Sequence, residues 1–224
     1  MLEVKNVKVE YYGEEVALLN FEFKQGVTLL LGEVGSFKTT LFRILGGIKE
    51  IKEGEIILDG TNIEELPPKR RDMAYVGKDS IPPSGTVIKA LMLPLKLRGD
   101  KKAKLKANEA ANQFGLEPKR KIKELSKKEL IPFFAARLSL RNTIVSMFDE
   151  PYHLLGEDDA VTDMIKNRGG YTLVSSCDGS DIERLKPDYL FVLRGDRVLA
   201  FGKTEDVLIS PQDKYVEMFL GVKK

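Results

Sequence analysis

Residues 32–40 read Gly32-Glu33-Val34-Gly35-Ser36-Phe37-Lys38-Thr39-Thr40, a phosphate-binding loop pattern with one position out of place. The pattern is glycine, four variable residues, then Gly-Lys-Ser/Thr. Gly32, Gly35, Lys38 and Thr39 stand at the right offsets, but Phe37 holds the position before the lysine. Glycine there supplies permissive backbone geometry and leaves room beside the phosphates. A phenylalanine either turns away from the loop or obstructs the amides that cradle the anion.

Working outward, residues 27–31 are a short apolar run, a buried strand feeding the loop. Residues 39–45, TTLFRIL, are helix-like and stop at Gly46-Gly47. Upstream, residues 2–12 and 17–23 read as strands, with Gln25-Gly26 as a turn. Downstream, residues 55–58 read as a strand ending in Asp59-Gly60, and residues 61–64 have capping-box spacing. Residues 73–76 follow as a strand. The character then changes. Residues 87–141 carry helical patterns: one segment broken by Pro94, one through KKAKLKANEAANQFG, and one after Ser126. This block reads as a helical insertion at about residues 83–140 between core strands. Strand character returns at 143–148, at 171–175 and in the hairpin-like FVLRGDRVLAFG. Strands alternating with helices predict a mostly parallel sheet.

The chain has 224 residues, suited to one domain with a nested subdomain. Hydrophobic residues make up 42% and charged residues 31%, a soluble globular composition. Lys plus Arg number 36 against 34 Asp plus Glu, so the net charge of +2 gives no reason to expect nucleic acid as a partner. No apolar run approaches a membrane span. The one cysteine excludes an internal disulfide and fits a reducing compartment.

A second element bears on phosphate chemistry. Residues 143–151, TIVSMFDEP, are an apolar strand ending in Asp149 and Glu150. A hydroxyl after the loop lysine and a carboxylate at a neighbouring strand end can together hold magnesium on nucleotide phosphates. A second carboxylate can orient or deprotonate an attacking water. Asp-Glu-Pro is also a common strand stop, so the pair gains its meaning from the loop upstream.

Together these segments resemble the ATP-binding cassette (ABC) ATPases over nearly the whole chain, and most closely the nucleotide-binding subunits of importers. GEVGSFKTT is similar to the family's Walker A loop and SMFDEP to its Walker B strand. PPKRRDMAYVGKDS resembles the run through the glutamine loop, with Lys78 forty residues after Lys38 (78 − 38). LSKKELIPFFAARLSL resembles the LSGGQ signature and the helix after it, and LVSSCD the strand ending in the switch histidine. Tyr12 stands beside Gly13, where the family stacks an aromatic on adenine. The resemblance implies an α/β fold: a P-loop RecA-like core, an amino-terminal antiparallel β portion and an inserted α-helical subdomain. It implies ATP and Mg2+ as ligands. Gly32, Gly35, Ser36, Phe37, Lys38, Thr39 and Thr40 would surround the phosphates, Thr39 and Asp149 would hold magnesium, and Glu150 would activate water. Two cassettes, alike or different, would sandwich ATP and drive membrane permease subunits, which places the chain in the cytoplasm, peripheral to the membrane.

The departures from the family pattern cluster at catalytic positions. Lys78 replaces the glutamine; an ammonium has only donors and cannot ligate magnesium as an amide oxygen does. Ser126 survives in the signature, but Lys127-Lys128-Glu129 replaces Gly-Gly-Gln, and two lysines oppose the helix dipole. Pro132 predicts a helix beginning late, near Glu129. Cys177 replaces the switch histidine and reads as a small buried residue at a strand end. His153 reads as a contact residue rather than a metal ligand, and Gly156 stands where the family has an aspartate. Three readings follow. One is an importer-type ATP-binding subunit with weakened hydrolysis. Another is a non-catalytic or regulatory subunit pairing with an intact cassette. The third is a non-transport ABC protein acting on nucleic acid, for which neither a second cassette nor a coiled-coil insert is visible.

Overall fold

The computed structural model describes residues 1–11, 13–17, 20–82, 84–195, 197–211 and 213–220. In chain order the strands are β1 (Leu2–Tyr11), β2 (Glu14–Ala17), β3 (Phe21–Phe23), β4 (Gly26–Leu31), β5 (Glu53–Leu58) and β6 (Thr61–Asn62). They continue as β7 (Met73–Val76), β8 (Val145–Asp149), β9 (Tyr171–Ser176), β10 (Tyr189–Arg194) and β11 (Arg197–Lys203). The helices are α1 (Lys38–Leu45), α2 (Val87–Lys96), α3 (Ala103–Gln113), α4 (Lys127–Ser139) and α5 (Pro151–Leu155). After them come α6 (Asp159–Lys166), α7 (Asp181–Leu185), α8 (Thr204–Ile209) and α9 (Lys214–Leu220).

Two sheets organise these elements. One runs β2-β1-β5-β6 with β3 also on β1, all antiparallel. The other runs β11-β10-β4-β9-β8-β7 and is parallel except for the β10–β11 hairpin. The amino-terminal antiparallel portion and mostly parallel core expected from the sequence are both present. The parallel strands are apolar on both faces because each face has its own core. On β4, Leu29 and Leu31 join a cluster with α2–α7, whereas Leu30 joins Phe23, Phe42 and Phe191 between the two sheets. Helix α1 lies in that second cluster through Leu41, Phe42, Ile44 and Leu45, which share one helical face. The phosphate-loop segment is thereby clamped at both ends, by β4 before it and by α1 after it.

Several local expectations are corrected. The strand expected over residues 17–23 is interrupted at Asn20, so that β2 and β3 are separate short strands; residues 18–19 lie outside the described residues. Residues 61–64 do not start a helix: Thr61 and Asn62 pair with β5, and the Asn62 side-chain oxygen accepts the Glu64 amide at 3.0 Å, a local turn in place of a cap. Pro94 does not break α2, which runs through it near its carboxyl end. Nor does α4 begin late. It starts at Lys127 with Ser126 as N-cap, and Ser126 and Glu129 cap each other reciprocally. Pro132 costs α4 about 3 kcal/mol through its lost donor and ring clash. Five large apolar residues buried on α4, Leu130, Ile131, Phe133, Phe134 and Leu138, are each worth roughly 1.5–3 kcal/mol, so packing wins.

Candidate functional site

The loop between β4 and α1 carries the first half of the site. Gly32 is needed for space, since a Cβ there would lie 2.6 Å from the Leu193 carbonyl oxygen and 2.7 Å from Ser36 Oγ. Gly35 is needed for its φ of +84°. Phe37 answers the question its position raises. Its ring is fully buried, with 0% exposure, in the cluster between the two sheets. It turns away from the loop and obstructs nothing there, because the inter-sheet core offers an apolar cavity that the loop mouth does not. Its amide donates to the Gly195 carbonyl at 3.0 Å, in the turn joining β10 to β11.

Lys38 folds back over the loop. Its ammonium donates to the carbonyls of Gly32 at 2.7 Å and Glu33 at 3.0 Å, and to Ser36 Oγ at 3.0 Å. It also lies 3.6 Å from Glu150 Oε1. Burial pushes the Lys38 ammonium down from its ordinary value, and Glu150 partly opposes that. The Ser36 amide donates to Glu33 O at 3.1 Å and the Lys38 amide to Ser36 O at 2.8 Å. A phosphate entering this loop therefore exchanges existing contacts for its own.

The second half comes from β8. The Thr39 hydroxyl donates to both oxygens of Asp149, at 3.1 and 2.9 Å, joining residues 110 apart in sequence. Ser175, directly across from Asp149 on β9, donates to its Oδ1 at 2.6 Å, and Tyr75 on β7 donates to its Oδ2 at 2.9 Å. Neither residue was marked by the sequence pattern. The available signal for Ser175 is its place at the carboxyl end of a neighbouring parallel strand, in register with Asp149. Glu150 follows in the left-handed region, at φ 49° and ψ 51°. That uncommon conformation for a non-glycine residue turns its carboxylate back toward Lys38.

The remaining expected residues are more scattered. Tyr12 lies outside the described residues. Thr40 lies on α1 and is half-buried, and Lys78 is exposed. Ser126 contacts Glu129, through Oγ at 2.8 Å, and is not brought to the loop. Cys177 is exposed, contrary to the buried role expected, because β9 ends one residue earlier at Ser176. Its amide donates to Glu150 Oε2 at 3.3 Å and its thiol also hydrogen-bonds Glu150, so the position meets the site through both backbone and side chain. His153 is exposed on α5, and its carbonyl accepts Lys127 Nζ at 3.1 Å.

Among the described residues no group of three or more His, Cys, Asp or Glu is placed to hold a metal. A magnesium ion suits the Thr39–Asp149 pair on other grounds. It takes oxygen ligands, keeps several waters, and binds through one or two carboxylates plus substrate phosphates.

A profile of the ABC transporter family matches residues 16–153, more than half of the chain. The chain belongs to the ABC transporter family. This cassette is 28% identical over 232 residues to the molybdate/tungstate import ATP-binding protein WtpC of Pyrococcus abyssi, covering 99% of the chain and 67% of that protein. It is also 28% identical over 237 residues to the sn-glycerol-3-phosphate import ATP-binding protein UgpC 1 of Rhizobium johnstonii, covering 98% of the chain and 63% of the relative. The cassette thus spans about two thirds of the length of the curated relatives it matches. Among solved structures, a nucleotide-free ATP-binding cassette from an ABC transporter superposes with a TM-score of 0.79 at 17% identity, covering 100% of this chain and 99% of that one. A dimeric post-hydrolysis cassette, MJ0796 bound to ADP and Pi, gives 0.72 at 20% identity, covering 91% and 98%. These likenesses establish the fold.

Proposed function

We propose that this cassette is the ATP-binding, energy-coupling subunit of an importer-like ABC complex, and that it binds Mg–ATP but turns it over slowly or not at all. The observation that carries the binding half is the Thr39–Asp149 hydrogen bond beside the Lys38–Glu150 contact. A cationic side chain, a hydroxyl and two carboxylates converge where a phosphate loop opens, and that combination suits a metal-bearing polyphosphate.

In this reading Lys38 leaves the Gly32 and Glu33 carbonyls for the β- and γ-phosphates. The backbone from Gly32 through Thr40 lines the rest of the anion. Thr39 and Asp149 would hold magnesium, which would supply positive charge against the phosphates. Glu150 Oε accepts a proton from the attacking water as that water's oxygen bonds to the γ-phosphorus and the bond to the β,γ-bridging oxygen breaks. Tyr12 stacks on adenine, Lys78 contacts a phosphate in place of the family's glutamine, and Ser126 faces nucleotide only when two cassettes pair. We assign the helical subdomain to about residues 83–140 of a single cassette domain. Permease subunits are the proposed membrane partners, and the cassette sits in the cytoplasm against them. No helix among the described residues is long and apolar enough to cross a membrane.

The weak-turnover half rests on substitutions. Lys78, Lys127, Lys128 and Cys177 stand where the family pattern has an amide, two glycines and an imidazole. These also favour a second reading, a non-catalytic subunit pairing with an intact cassette. Calorimetry of ATP binding to wild type and Lys38→Ala tests the site. Wild type is expected to bind and the variant to lose most affinity; no binding by wild type at millimolar nucleotide overturns the proposal.

A further inference from the structure

The carboxylate of Asp149 is held by a group that belongs to neither the phosphate loop nor the strand that carries it. Tyr75 lies on β7, which pairs with β8, and its hydroxyl donates to Asp149 Oδ2 at 2.9 Å. The same oxygen accepts Thr39 at 2.9 Å, while Oδ1 accepts Ser175 at 2.6 Å and Thr39 at 3.1 Å. A carboxylate offers about four lone-pair positions, so three hydroxyls from α1, β7 and β9 fix its orientation about both torsions. Thr39 and Asp149 are the residues we assign to magnesium; Tyr75 touches only the second of them, from behind.

Gly77 shows that the fold is built around this contact. Its φ is −170°, extended backbone that any residue adopts, so glycine is not required there for conformation. It is required for space. A Cβ at position 77 would stand 2.5 Å from the Tyr75 hydroxyl oxygen, 2.7 Å from the ring carbon bearing it, and 3.1 Å from Asp149 Cβ. Residues two apart in extended chain share a face, so the missing side chain at 77 is the space the Tyr75 phenol occupies. Beyond the phenol lies the Arg43–Asp79 ion pair, and the ring also walls a cavity of about 300 Å³ between β7, α2 and α4. The tyrosine thus reaches from that cavity to the carboxylate.

We propose that Tyr75 is a positioning residue for the metal end of the site: it holds Asp149 Oδ2 so that Asp149 and Thr39 present their oxygens together to the magnesium accompanying the nucleotide. This rests on the nucleotide-binding reading above. Outer partners that orient a ligating group typically change metal affinity by roughly tenfold or more when removed, without touching the metal themselves.

The test is calorimetry of ATP binding by the full chain, in Mg2+ and in EDTA, for wild type, Asp149→Asn, Tyr75→Phe, Gly77→Ala and the Tyr75→Phe/Gly77→Ala pair. Wild type is expected to bind more tightly with Mg2+ than without. Asp149→Asn should lose that gain. Tyr75→Phe should shrink it by roughly tenfold while leaving metal-free affinity unchanged. Gly77→Ala, whose Cβ would crowd both the phenol and Asp149 Cβ, should also shrink the gain, and the pair, in which the ring carbon and Asp149 are still crowded, should lose no less of it than Tyr75→Phe alone. A wild-type Mg2+ gain in Tyr75→Phe overturns the positioning role and leaves the nucleotide reading standing. An equal loss of affinity with and without Mg2+ overturns it as well, since that is the mark of a merely structural residue. Absence of ATP binding by wild type overturns both.

Discussion

Phe37 and Gly195 are joined by a hydrogen bond, the Phe37 amide donating to the Gly195 carbonyl at 3.0 Å, while the Phe37 ring is buried between the two sheets. The residue that breaks the loop pattern is thus an anchor. It pins the start of α1 to the β10–β11 turn and to the inter-sheet core, and leaves the loop mouth clear.

Restoring glycine at this position should therefore harm the protein. Truncating a buried phenylalanine costs about 3–5 kcal/mol, and glycine adds backbone entropy to the unfolded chain. Phe37→Gly is expected to lose at least about 3 kcal/mol in denaturant unfolding and to bind ATP no more tightly than wild type. A tenfold gain in affinity at unchanged stability would show that the ring does obstruct the loop.

Turnover should be slow even where binding is retained. Removing one fixed donor around a transferring group typically costs on the order of a hundredfold or more, and several are replaced here. Effects at one site need not multiply. Steady-state phosphate release by purified wild type is expected to lie close to that of Glu150→Gln, which reports contaminating ATPase. Robust release that depends on Glu150, matching an intact cassette assayed alongside, would contradict this.

Arg71 is expected to be a stability residue with no part in chemistry. Its buried guanidinium donates to the Ile44 carbonyl at 2.9 Å, to Leu45 at 2.7 Å and to Leu66 at 2.9 Å, closing the carboxyl end of α1. Each carbonyl left unsatisfied costs about 1–3 kcal/mol. Arg71→Met should lower unfolding free energy by roughly 2–4 kcal/mol, measured by urea titration. A change within about half a kcal/mol would mean that water replaces the guanidinium at no cost.

The capping box of α4 should give a pH-dependent contribution. Hydrogen bonds from the Ser126 amide and hydroxyl, with the Arg120 guanidinium, hold Glu129 at about 2 against an ordinary 4.5. Its folded value is depressed, so its stabilisation is present above the unfolded value and is lost as pH falls through the window from 4.5 toward about 2. The stability difference between wild type and Glu129→Gln is expected to be full near neutral pH and to shrink across that acid window. A difference that stays constant with pH would rule out a carboxylate-based cap.

The sequence alone was enough for whatever is local or periodic. Gly32, Gly35, Lys38 and Thr39 announce a phosphate loop by spacing, the apolar runs before Gly32 and Asp149 announce buried strands, and their order announces the α/β core. Those signals survive because neighbouring residues make them, through strand alternation, turn geometry and helix periodicity. What tertiary structure alone decided is where individual side chains point and which of them meet. Phe37 turned inward because a cavity between two sheets, formed by residues as distant as Phe191, gave it more buried surface than the loop mouth. Pro132 stayed inside a helix because burial of its neighbours outweighed a lost hydrogen bond. Cys177 came out exposed because β9 stops at Ser176. Tyr75 and Ser175 reached Asp149 because strand order placed β7 and β9 on either side of β8. Contacts between residues tens of positions apart depend on register and packing, which no stretch of chain read by itself contains.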